Sequence, residues 1–326
     1  MKRTIALALC TIGLFTRCEE LDPTESGSLV PKTAAEDSTI PHINVNGTVL
    51  HAEAFGNPND PMVVFLHGGP GNDYRNGLNA KELSNDGYYV VFYDQRGAGL
   101  SKRHSKNSFT IQLMFDDLTA VIDHYRTSPT QKVFLLGHSW GGMLAAGYLN
   151  KYPEAIDGAI LAEPGGLTWA RVKEYGERSR KLDLFAEVAN DVLFTDQFLT
   201  AKGNDQEVAD YKMALQMNYI FTPGNIEGVE GPFPFWRCGA ISIARFVEVA
   251  EEDGFDFTTN LDQYQTHVLL LYSEDNKAYG KSFAENEASY FPNATIAQVD
   301  DTGHEMIYFQ WDNVHPLVLK YLNSLN

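Results

Sequence analysis

Cysteine is nearly missing from this chain: its 326 residues include 3, at positions 10, 18 and 238. So sparse a set builds no disulfide framework. No His, Cys and Asp cluster has the spacing of a metal site, and no cofactor is expected. Basic residues are also scarce. There are 25 Lys and Arg against 43 Asp and Glu, a formal net charge of −18. Phosphate binding needs a basic face, so a nucleic acid partner is disfavoured. Long apolar runs are lacking as well. The run Ile5 to Phe15 falls short of the length that crosses a bilayer. Repeats and low-complexity tracts do not occur. A hydrophobic fraction of 44% is enough for a real core. The length admits one large α/β domain with an insertion, or two small domains.

The N-terminus reads as an export signal. Lys2 and Arg3 precede the apolar run, and Cys18 follows it. Residues 1–18 are expected to be a lipoprotein-type signal segment with Cys18 as the lipidated residue. Arg17 stands where a small residue is expected, so plain secretion is the alternative. A single anchor would tether the protein to a bacterial cell envelope without a spanning helix. Without it the protein would be periplasmic or secreted. Residues 19–38, polar and containing Pro, Ser and Thr, read as a tether.

From Ile40 onward strands alternate with helices. Ile43 to Val45, the turn Asn46-Gly47, and Val49 to Phe55 resemble an antiparallel pair. Met62 to Leu66, Tyr88 to Tyr93, Lys132 to Leu136, Ile156 to Ala162, His267 to Tyr272 and Thr295 to Val299 are apolar runs of strand length. Ile111 to Arg126 and about Val314 to Leu325 show helical spacing. This alternation predicts a mostly parallel sheet flanked by helices. It breaks between Gly165 and about Asn260, which is too long for a loop. The expected division is therefore a core over 39–164 and 261–326, with a helical cap over 165–260, inserted after the sixth strand.

The chemistry points to Gly137-His138-Ser139-Trp140-Gly141, set between an apolar strand and a small, apolar helix. A strand, a sharp turn and a helix are the context in which a Gly-x-Ser-x-Gly serine is lifted above a sheet as a nucleophile. A serine hydroxyl needs a base and an oxyanion site. His304, just after the last strand, is the candidate base. His67, His124, His138 and His315 are poorer candidates, and His67 is expected to brace the loop after its strand. Trp140 and Gly69, the latter in His67-Gly68-Gly69-Pro70-Gly71, are the candidate backbone donors to the oxyanion.

Three motifs together carry a family resemblance: His67-Gly68-Gly69-Pro70-Gly71, Asp94-Gln95-Arg96-Gly97-Ala98-Gly99-Leu100-Ser101, and the elbow followed by Gly142. Over roughly 40–165 and 265–326 the chain resembles the proline iminopeptidases, α/β-hydrolases that act as serine aminopeptidases. The resemblance implies an α/β-hydrolase fold, removal of N-terminal residues from short peptides, and the chain order nucleophile, acid, histidine. It implies a turn-building role for Asp94 and Arg96.

The chain departs from that pattern twice. Where the resemblance implies an acid after the seventh strand, Ser273-Glu274-Asp275-Asn276 puts the neutral Asn276 in the slot. Three alternatives stay open. Glu163, ending the sixth strand, is the acid; Asp275 serves after a one-residue shift; or the site is degraded and the protein is a binding lipoprotein. Glu163 is favoured, because a carboxylate at the carboxyl edge of a parallel sheet faces the active-site side. The second departure is in the cap. The resemblance implies cap glutamates near a Trp-Glu signature that hold the substrate amine; that signature is missing, with Trp169, Glu174, Glu227, Glu230 and Trp236-Arg237 as possible contributors. Phe233 to Trp236 either line an apolar pocket or bury the cap against the core. An esterase, lactonase or amidase on small acyl compounds is the alternative to an aminopeptidase.

Overall fold

The computed structural model describes residues 29–179, 205–220, 225–252 and 254–326. Cys18 and the whole of the expected signal segment lie outside the described residues. Eight strands form one sheet: β1 (His42–Val45), β2 (Thr48–Phe55), β3 (Met62–Leu66), β4 (Tyr89–Tyr93), β5 (Val133–His138), β6 (Gly158–Ala162), β7 (Val268–Ser273) and β8 (Ala294–Val299). Their spatial order is β1-β2-β4-β3-β5-β6-β7-β8. β2 runs antiparallel to β1 and β4, and every later pairing is parallel.

The central strands read as unbroken apolar runs because both faces of the sheet are covered. Along β3, Met62, Val64 and Leu66 point into one core and Val63 and Phe65 into the other. The first core is closed by α1 (Ile111–Tyr125) and α2 (Trp140–Lys151), through Met114, Leu118, Leu144 and Tyr148. The second is closed by a 3₁₀ segment, Tyr74–Asp86, and the C-terminal helix Trp311–Leu325, through Leu83, Trp311, Val314 and Val318. Each large side chain fully buried here contributes about 1.5–3 kcal/mol. α1 starts where Thr110 accepts a hydrogen bond from the Leu113 N–H (3.1 Å), satisfying one of the first-turn donors.

Helices α3 (Trp169–Arg178), α4 (Asp205–Ile220) and α5 (Ala240–Glu252) stand between β6 and β7. Beyond β7 come α6 (Gly280–Ala288), α7 (Met306–Phe309) and α8 (Trp311–Leu325). Among the described residues no helix is long and apolar enough to cross a membrane.

The expected tether ends earlier than residue 38. Thr33 and Ala34 are buried. The Ala34 N–H bonds the Leu100 carbonyl (2.7 Å), and Arg237 donates to the Pro31 carbonyl (2.8 Å). The stretch is seated because its backbone groups find partners on the body. Composition alone did not reveal that.

Candidate active site

Ser139, Glu163, His304 and Gly69 follow β5, β6, β8 and β3, so four loops at the carboxyl edge of the sheet bring them together. At the β5–α2 turn Ser139 has φ 54° and ψ −121°, a conformation held only where the surroundings over-determine it. Its N–H bonds the Ala162 carbonyl of β6 (2.9 Å). A Cβ on Gly141 would lie 1.9 Å from the Leu66 carbonyl oxygen, so α2 packs this close to β3 only with glycine there.

Glu163 is fully buried and also has a positive φ, 43°. Its Oε2 accepts from His304 Nδ1 (2.8 Å) and Asn276 Nδ2 (2.7 Å). Its Oε1 accepts from the Ser273 N–H (2.7 Å) and hydroxyl (2.6 Å). Four donors on two oxygens match the acceptor capacity of an ionised carboxylate. Bonding through Nδ1 fixes the ring of His304 and leaves Nε2 as its other nitrogen. Asp275 stands elsewhere: its side chain is 55% exposed and lies 3.7 Å from Lys277. Asn276, in the slot where a carboxylate was expected, instead donates to Glu163 and accepts from the Ala278 and Tyr279 N–H groups (3.1 Å each).

The turn after β3 lies against the elbow. A Cβ on Gly68 would be 3.2 Å from the Ser139 Cβ. Gly69 has φ 121°. Trp140 is the first residue of α2, so its N–H has no acceptor within the helix. Its indole donates to Gln95 Oε1 (2.8 Å), and Gln95 Nε2 donates to the His67 carbonyl (2.9 Å). His67 Nδ1 donates to the Gly68 carbonyl (2.8 Å), while Nε2 accepts the Gln95 N–H (2.9 Å). Burial lowers the pKa of His67, in keeping with a neutral, bracing ring. Asp94 accepts from the Tyr74 and Leu100 N–H groups (3.0 and 2.7 Å), and Arg96 makes a two-bond pair with Asp117 (2.8 Å each). Asp94 thus braces the turn, and Arg96 ties it to α1.

Ser139, His304 and Gly69 share the wall of a cavity of about 330 Å³. The rest of that wall is mainly apolar, with Trp169, Val172, Met213, Met217, Ile243 and Phe246. Glu305, Glu251 and Lys173 add charge. Phe233 and Trp236 do not line it. Trp236 packs edge-on against Tyr74 and His51, and Phe233 is buried beside Met217 and Cys238. Ring nitrogens of His138 and His304 and a carboxylate oxygen of Glu305 lie within 4.8 Å of one another. This trio could hold a divalent ion, although each histidine already uses one ring nitrogen, His138 Nε2 donating to the His304 carbonyl (2.7 Å).

The spacing of the sequence did not reveal the partners around Glu163. Asn276 gave the one usable signal, an amide where the resemblance implies a carboxylate. Tyr175, which joins the same network from the inserted region, gave none, and Glu227 stood out only as a possible contact for a substrate amine, whereas its carboxylate accepts from the Tyr175 hydroxyl.

A serine on a strained turn, beside a carboxylate–histidine pair at the edge of a mostly parallel sheet, defines an elbow-type hydrolase scaffold. The chain belongs to the α/β-hydrolase superfamily. It is 34% identical over 303 residues to the AB hydrolase superfamily protein YfhM of Bacillus subtilis, covering 86% of this chain and 97% of that protein. The family described as serine aminopeptidase, S33, matches residues 57–213. A proline iminopeptidase of Thermoplasma volcanium is 34% identical over 128 residues, 39% of this chain and 42% of that enzyme. The crystal structure of a proline iminopeptidase from Mycobacterium smegmatis superposes with a TM-score of 0.59 at 18% identity, covering 87% of this chain and 98% of that one. It supports the shared fold.

Proposed function

We propose that this protein is a serine hydrolase working through an acyl-enzyme, with short peptides bearing a free N-terminus as its substrates. The observation that carries the proposal is the 2.8 Å bond between His304 Nδ1 and Glu163, in the cavity that Ser139 also lines. In this reading Ser139 Oγ attacks the carbonyl carbon. His304 takes the hydroxyl proton and returns it to the leaving group, and Glu163 stabilises the imidazolium formed in between. The Gly69 and Trp140 N–H groups hold the oxyanion, aided by the N-terminal end of α2. Water, deprotonated by His304, then releases the acyl group. The similarity to proline iminopeptidases supports the peptide substrate, as do the carboxylates of Glu251 and Glu305 on the cavity wall, where a substrate ammonium would need a counter-charge.

The apolar remainder of the wall favours a second reading, hydrolysis of small apolar esters or lactones. A prolyl arylamide, its N-acetylated twin and a short-chain aryl ester separate the two, with Ser139→Ala as control. Cleavage of the free-amine compound but not the blocked one is expected. Cleavage of the ester alone would sink the aminopeptidase reading, and turnover retained in Ser139→Ala would sink both.

A further inference from the structure

The inserted region reaches behind the His304–Glu163 pair as well as over the cavity. Tyr175, near the end of α3, donates its hydroxyl proton to Glu227 Oε1. The same hydroxyl oxygen accepts from Asn276 Nδ2 (3.2 Å), whose other bond goes to Glu163 (2.7 Å). Glu227 also accepts the His304 N–H on its carbonyl (2.9 Å). All four side chains in the chain Glu227–Tyr175–Asn276–Glu163 are buried.

The loop carrying Glu227 is fitted backbone to backbone. The Lys277 N–H bonds the Ile226 carbonyl (2.9 Å). A Cβ on Gly303 would lie 2.2 Å from the Gly228 carbonyl, and one on Gly228 would lie 2.7 Å from Asp275. At Gly228 and Gly303 the backbones of this loop and of the turns that carry Asn276 and His304 meet too closely to admit a Cβ.

We propose that Tyr175 and Glu227 are positioning residues for the His304–Glu163 pair, so that chemistry in the core depends on the seating of the 225–229 loop of the inserted region. This rests on the reading of Ser139 and His304 as nucleophile and base. Asn276 is what makes the linkage work. Its amide donates to Glu163 and toward Tyr175 while its oxygen caps the turn at Ala278 and Tyr279, and a carboxylate there would offer neither donor. Burial, and then the charges of Glu227 and Glu163, raise the Tyr175 pKa well above its ordinary value, so the phenol keeps the proton it donates.

The test compares Tyr175→Phe, Glu227→Ala and Glu227→Gln with wild type. Two quantities are read: kcat and KM on whichever of the prolyl arylamide and the short-chain aryl ester wild type cleaves faster, and the far-downfield proton resonance of the His304 Nδ1–H bonded to Glu163. Losing one hydrogen bond to a charged group is expected to lower kcat about tenfold in Tyr175→Phe and Glu227→Ala, with KM within about twofold. The resonance should shift or broaden in both. Glu227→Gln keeps an acceptor for the Tyr175 hydroxyl and should restore kcat to within about twofold of wild type. Unchanged kcat and resonance in Tyr175→Phe would overturn the proposal, and so would losses confined to KM. If Glu227→Ala does not fold, Tyr175→Phe, which removes one atom, decides. Wild type with neither turnover nor labelling at Ser139 would defeat the hydrolase reading, while the resonance would still report on the network.

Discussion

Glu163 is the residue on which the electrostatics of the site turn. Its two oxygens accept four hydrogen bonds, one of them from His304. A glutamine there would present an amide to a ring nitrogen that needs an acceptor. Glu163→Gln is expected to lower kcat by about 10⁴-fold, as neutralising the corresponding carboxylate does in a serine protease triad. Asp275→Asn, altering an exposed side chain that faces Lys277, should leave kcat within about twofold. Steady-state kinetics on one substrate compare the two, and equal losses would contradict the assignment. At this level the sequence was partly legible. Ser139, His304 and the turn at Gly69 could be read because each sits in a short motif tied to a strand end. Between Glu163 and Asp275 the sequence favoured Glu163, by its place at the carboxyl edge of the sheet, and left Asp275 open, since the choice depends on which loop passes His304 in space.

Asp73 joins the core to the inserted region. Its side chain accepts the N–H groups of Trp236 and Arg237, and at the start of the 3₁₀ segment it accepts that of Arg75. Burial, and then the charge of Asp94, push its pKa up from 3.8 to about 7. Between those values the folded chain keeps a proton that the unfolded chain has released. Stability therefore falls as pH rises through that window and levels off above it. Asp73→Asn removes the titrating group and keeps an acceptor oxygen. Its Tm should change less than that of wild type between pH 5 and pH 8, and parallel profiles would contradict this account. Strands and helices were the easiest elements to read. Met62–Leu66 has the expected bounds, and α1 ends one residue early, at Tyr125. Docking between elements was hidden. The seating of residues 31–34, the burial of Phe233 and the packing of half-buried Trp236 on Tyr74 and His51 rest on long-range contacts that periodicity does not encode.

For the molecule as a whole, the acidic body and the N-terminal sequence bear on where the protein works. We propose that the chain is exported and anchored through lipid at Cys18, on the strength of the basic start, the apolar run and the position of this cysteine. The first seated residues, near Pro31, lie beside Arg237 of the inserted region, so some dozen residues would separate the anchor from the body. In a bacterial host the full-length chain should partition with membranes and incorporate labelled fatty acid, and Cys18→Ser should do neither. Labelling of the serine variant would remove Cys18 from the argument. The fold class was legible at this scale because alternating strands and helices admit few arrangements. The substrate was not, because the cavity is lined by side chains from separate parts of the inserted region as well as by the core.

The central claim is that Ser139 is a nucleophile activated by His304 and Glu163. The most direct measurement is the rate at which a fluorophosphonate labels the protein, with the adduct located by peptide mass. The account predicts one adduct on Ser139, none on Ser139→Ala, and labelling slowed by about a hundredfold or more in Glu163→Gln. Folded wild-type protein that stays unlabelled, or an adduct on another residue, would contradict it.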